Sequence, residues 1–163
     1  MDSNIEKGMI ELVDIRELLD NRFLGGQAVD AAIALSFYRH NCIDEEVVEL
    51  FKSGINLCKL IKMGVDEQEE SFNCLFDERR LARVAYCTLM SLESVGHPEF
   101  KPEELVEDVI EAGDFLKELL EAIEQGVKKE VNGNKLRKLQ KSFLDVSAPF
   151  FSTASTMLSS RWP

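Results

Sequence analysis

Two acidic patterns have the residue types and spacing for metal chemistry. Residues 45–49 read EEVVE and residues 111–114 read EAGD. Positions three and four apart share one face of a helix. Glu45, Glu46 and Glu49 therefore form one carboxylate cluster, and Glu111 with Asp114 forms another. Oxygen ligands of this kind suit a hard divalent cation such as magnesium. Two adjoining helices would be needed to bring both clusters onto the same ion.

The pair of patterns resembles the carboxylate motifs of the all-α nucleotide pyrophosphatases. That resemblance implies a magnesium-dependent nucleotide hydrolase, with Glu45, Glu46, Glu49, Glu111 and Asp114 holding the metal. It covers nine residues. The stretch of about 60 residues between the motifs, with a whole helix inside it, is longer than that family's pattern. In a chain with 30 acidic residues, a solvated acidic face is the competing account.

Other catalytic sets are incomplete. A di-iron bundle site needs Glu-x-x-His twice, whereas the residues three before His40 and His97 are Phe37 and Ser94. His40 and Cys42 are two zinc-type ligands where three or four are required. No G-x-S-x-G elbow is present, and Gly25-Gly26 is not followed by the Lys-Ser/Thr of a phosphate loop. The cysteines at 42, 58, 74 and 87 form no C-x-x-C pair and read as small buried hydrophobes. Arg79, Arg80 and Arg83 could receive an anion, but neighbouring acids are their more ordinary partners. The expectation is a non-enzymatic interaction or regulatory module without a cofactor. The magnesium hydrolase is one alternative. A small-molecule pocket around the Ala-rich helix, with Asp30 as its lone charge and Phe37 beside it, is another.

Charge suggests where a partner would sit. The net charge is −11, yet residues 127–163 hold seven basic and two acidic side chains. That end carries +5, leaving −16 on the first 126 residues. An acidic body repels phosphate backbones, which argues against nucleic acid. The basic ridge Lys135, Arg137, Lys138 and Lys141, with Phe150, Phe151 and Met157 of the last helix, is the candidate surface for a protein partner or a second copy. Membrane contact through that last helix is the weaker alternative, because its polar side is Ser and Thr rather than Lys and Arg. Without a signal-like start or a run of about 18 apolar residues, the expected compartment is the cytoplasm.

Helices must position all of these residues. Apolar side chains recur at spacings of three and four almost throughout, and strand alternation is nearly absent. The first helix is expected over about 4–23, along Ile5, Met9, Leu12, Ile15, Leu19 and Phe23, stopped by Gly25-Gly26. The second, from Gln27, carries Ala28, Ala31, Ala32 and Ala34 on several sides and reads as the buried central helix. Asp44 caps the third, whose stripe is Val47, Phe51, Ile55, Cys58 and Ile61, with Gly64 as its end. Asp66 and Glu69 form a capping box for a fourth helix reaching about Ser94. Pro102 opens a fifth, which Gly126 closes. Leu136, Leu139, Phe143 and Leu144 line a sixth, and VSAP breaks it from a seventh, because the residue before proline resists helical backbone. The expected architecture is all-α, a single antiparallel bundle of six to seven helices spanning residues 1–163.

Overall fold

The computed structural model describes residues 24–66, 78–90 and 101–161, apart from the side chains of Glu78, Arg80 and residues 151–161. The described residues form five α-helices and no strand. These are α1 (Gly25–Arg39), α2 (Glu45–Asp66), α3 (Glu78–Met90), α4 (Pro102–Glu124) and α5 (Gly133–Arg161). The all-α expectation holds. The helix expected over 4–23, the Glu69 half of the capping box, Cys74 and His97 lie outside the described residues.

Local chemistry explains five of the helix ends. Asp44 caps α2, its Oδ1 accepting the Val47 N–H at 3.0 Å. Asn132 caps α5, its Oδ1 accepting from Asn134 at 2.8 Å. Pro102 occupies the first turn of α4, where its missing N–H costs nothing. Two helices finish in Schellman motifs. At the end of α4, Val127 N–H reaches Ala122 O and Gly126 N–H reaches Ile123 O, with Gly126 left-handed at φ 71°. At the end of α1, Cys42 N–H reaches Phe37 O and Asn41 N–H reaches Tyr38 O, with Asn41 at φ 61°. Asparagine is the residue after glycine that best tolerates this conformation.

Three expected boundaries are corrected. Gly25 and Gly26 are buried in the first turn of α1, which therefore begins two residues before the expected Gln27, while the helix they were expected to stop lies outside the described residues. Gly64 lies buried inside α2, which is described as far as Asp66, and the start of the helix that Asp66 was expected to cap lies outside the described residues. VSAP does not divide the C-terminal region, and α5 passes through Pro149 without interruption. An interior proline removes one backbone hydrogen bond and costs about 3 kcal/mol. Phe143, Val146 and Phe150 bracket it at 1%, 0% and 3% exposure, and burying this row offsets the loss. The six or seven expected helices thus become five among the described residues.

The core joins all five helices. Ala28, Ala31, Ala32 and Ala34 are buried as expected, although Ile33 and Phe37 on the same helix are exposed. The hub is nevertheless α2, which packs against α1, α3 and α4, while α1 lies chiefly between α2 and α5. Small residues let α2 approach each neighbour closely. A Cβ on Gly54 would lie 2.6 Å from Ala31 Cβ, and one on Gly113 would lie 2.5 Å from Cys58 Cβ. One on Gly64 would collide with the Ala82 carbonyl and stand 2.7 Å from Tyr86 Cβ. Such separations are far inside ordinary carbon–carbon contact. The α1–α2 contact also carries a polar tie, Ser53 Oγ donating to Asp30 Oδ2 at 2.8 Å.

Burial also divides the cysteines. Cys58 is buried, and desolvation pushes its thiol from 9.0 up to about 12. Cys42 and Cys87 are exposed. A thiol held neutral by the fold costs nothing below its ordinary value. As pH rises from about 9 towards 12, the unfolded chain ionises there and the folded chain does not, so stability falls across that window. Iodoacetamide at pH 8 is expected to label Cys42 and Cys87 and to spare Cys58 until denaturant is added. Peptide mapping that finds Cys58 alkylated at the rate of Cys42 in the native protein would contradict the burial.

Candidate functional site

Two features of α5 are candidates for a site, an exposed basic face and a pocket at its N-terminal end. The helix packs one side against α1, with smaller contacts to α3 and α4. Leu136, Phe143, Val146 and Phe150 point into the core, a spacing that returns every turn or two. Lys135, Arg137, Lys138 and Lys141 all fall on the exposed remainder. Leu144, expected in the core, is 47% exposed beyond Lys141 on the same side. Lys135 bends towards α4, with Nζ 4.3 Å from the centre of the Phe115 ring. Arg137, Lys138 and Lys141 are left as the outward cations.

Phe150 belongs elsewhere. At 3% exposure it is a core residue, not a docking contact. The broken-helix expectation had placed it on a separate terminal helix, free to face outwards. The side chains of Phe151 and Met157 lie outside the description.

The carboxylates do not gather. Glu45, Glu46, Glu49, Glu111 and Asp114 are all exposed, and Glu49 pairs with Lys52 on its own helix at 3.4 Å. The α2–α4 crossing is fixed where Cys58 meets Gly113. Asp114 is at that level, but Glu49 and Glu45 are nine and thirteen residues away along α2. At 1.5 Å per residue that places them roughly 14 to 20 Å from the crossing. Among the described residues, no group of three or more His, Cys, Asp or Glu side chains is arranged to hold a metal ion. Asp30, expected as the lone charge of a ligand pocket, accepts from Ser53 and so links α1 to α2.

The pocket appears where that sequence pattern gave no sign of it. A cavity of about 290 Å³ lies between the C-terminal end of α1, the 128–131 segment and the start of α5. Tyr38, Arg39 and Asn41 form one wall, and Lys128, Val131 and Leu136 are on the other. The walls are fastened together. Tyr38 Oη–H donates to the Lys129 carbonyl at 2.5 Å across 91 residues of sequence. The Lys129 ammonium meets Glu118 of α4 at 2.6 Å. That hydrogen bond, with the cation behind it, lowers the Glu118 carboxyl below its usual value. Protonating Glu118 releases the tie, so the segment loses this support as pH falls through the lowered value.

Arg39 distinguishes the pocket. Its Nε is shielded from solvent and has no hydrogen-bond partner among the described residues. Its Nη2 lies 3.3 Å from Nε2 of His40. A second depression of about 310 Å³ between α2 and α4 differs in that its lysines, Lys52, Lys59 and Lys117, are interleaved with Glu121 and Glu124.

No protein-family model matches the chain, and neither a curated protein nor a solved structure does. Among the described residues, no helix is long and apolar enough to cross a membrane.

Proposed function

We propose that the protein is a non-enzymatic interaction module, one antiparallel helical bundle that docks through the basic face of α5. The supporting observation is the exposure of Arg137, Lys138 and Lys141 along one side of that helix, with Leu144 as an apolar neighbour. The occupant this reading favours is a second copy of the chain. The outer ridge of α4, with Glu104, Glu107, Asp108, Glu111, Asp114, Glu118 and Glu121, is exposed along its length. In a two-fold pair, α5 of each copy would meet α4 of the other, matching the +5 and −16 portions of the chain.

Light scattering after size exclusion tests this. The full chain should show twice the monomer mass at low ionic strength and revert as salt screens the contact, with a Debye length of about 8 Å at 0.15 M. The double variant Lys138→Glu, Lys141→Glu should be monomeric at low salt with its helical circular dichroism unchanged. An exposed charge reversal leaves folding within about 0.5 kcal/mol. A parent chain that is monomeric at low salt and high protein concentration would exclude the second copy. If the double variant stays dimeric, α5 is not the interface.

A further inference from the structure

We infer that the pocket at the α1–α5 junction binds a small phosphate monoester. This stands independently of the docking face, because Arg137, Lys138 and Lys141 do not line the cavity. Three observations lead to it. First, Arg39 lines the cavity, and its Nε has no hydrogen-bond partner among the described residues. A guanidinium edge donates two parallel bonds to an oxyanion, which makes arginine the usual partner of a phosphate. Second, charge in the lining favours an anion. Arg39, Lys128 and Lys129 oppose Glu130, and Lys129 is occupied by Glu118. Gly133, the first residue of the 29-residue α5, also lines the cavity and adds the positive end of a helix. Third, the cavity has a mixed wall. Tyr38, Val131 and Leu136 supply an apolar side against which the body of a ligand can rest. About 290 Å³ is the lower end of the usual range for small-molecule sites.

Two cations without an acidic partner among the described residues, together with a helix terminus, favour a doubly charged group over a carboxylate. A phosphate monoester has a second pKa near 6, so it is mostly a dianion at pH 7. Affinity for it should therefore drop between pH 7 and pH 5, whereas affinity for a carboxylate would not follow that curve.

Phenyl phosphate is a probe of suitable size, with benzoate as its singly charged counterpart. Titration of the isotope-labelled full chain, followed by amide chemical shifts, should give saturable changes at Arg39, Lys128 and Gly133 with Kd on the order of 1 mM or tighter. Arg39→Gln and Lys128→Gln should each weaken phenyl phosphate about tenfold, the effect of losing one charge-assisted contact. Lys62→Gln, exposed on α2, should not. The Lys128 side chain is exposed, so that variant reports on the pocket even if Arg39→Gln folds poorly. No saturation at these amides up to about 10 mM would overturn the inference. So would equal binding of benzoate, or an unchanged affinity in Lys128→Gln.

Discussion

Phe51→Ala is expected to cost about 4 kcal/mol, within the range for removing a fully buried phenyl ring. Phe51 is 0% exposed and sits on the hub helix α2. Its ring meets Tyr38 edge to face, with centroids 6.2 Å apart and planes at 83°. Truncation leaves a cavity that the surrounding helices cannot close without moving α1. For a chain of this size the midpoint of thermal unfolding should fall by roughly 8 to 16 °C. A second consequence follows from Tyr38, which also holds the Lys129 carbonyl and forms one wall of the pocket. Any affinity for phenyl phosphate should fall in Phe51→Ala, while Phe51→Leu recovers much of both properties. A loss below 1.5 kcal/mol in chemical denaturation would show that this ring is not packed at the centre of the core.

Gly64→Ala is the second large effect, and its sign is the informative part. At an ordinary helix interior, alanine is better than glycine by about 1 kcal/mol. Here the new methyl group would collide with the Ala82 carbonyl and lie 2.7 Å from Tyr86 Cβ. A backbone carbonyl cannot turn aside, so α2 and α3 must separate. The expected outcome is a loss of about 3 kcal/mol, at the upper end for overpacked sites. Urea denaturation of the variant measures it. If Gly64→Ala were neutral or stabilising, α3 would not cross α2 at this point.

These two positions also mark how far the residue order could be read unaided. Phe51 was placed in the core by its spacing from Val47, Ile55 and Cys58, since burial of a stripe follows from helical period alone. Gly64 by itself reads as a helix end, because nothing within one turn distinguishes a terminating glycine from one against which another helix rests. The difference lies in Ala82, eighteen residues later. Pro149 repeats the lesson. Its local preference favours a break, and the buried row of Phe143, Val146 and Phe150 overrides it. As for recognition, the basic face of α5 was legible from Lys135, Arg137, Lys138 and Lys141, but the exposure of Leu144 and the burial of Phe150 were not. The pocket was hidden because its walls meet only when residues 38–41 come beside residues 128–136. Lys128 and Lys129 just ahead of Asn132 and Gly133 were the nearest hint, with no spacing to join them to Arg39.

Sequence alone determined that the described residues are helical, where Asp44, Pro102 and Gly126 begin or end helices, and which side of most of these helices turns inward. Each depends on residues within a turn or two of one another, where short-range sterics and hydrogen bonding dominate. Only tertiary structure decided that α2 is the hub, that α5 passes through proline, that no metal-holding group of three acids forms among the described residues, and that a cationic pocket opens beside Arg39. Those outcomes depend on side chains distant along the chain competing for the same space, and packing at near-crystalline density resolves that competition.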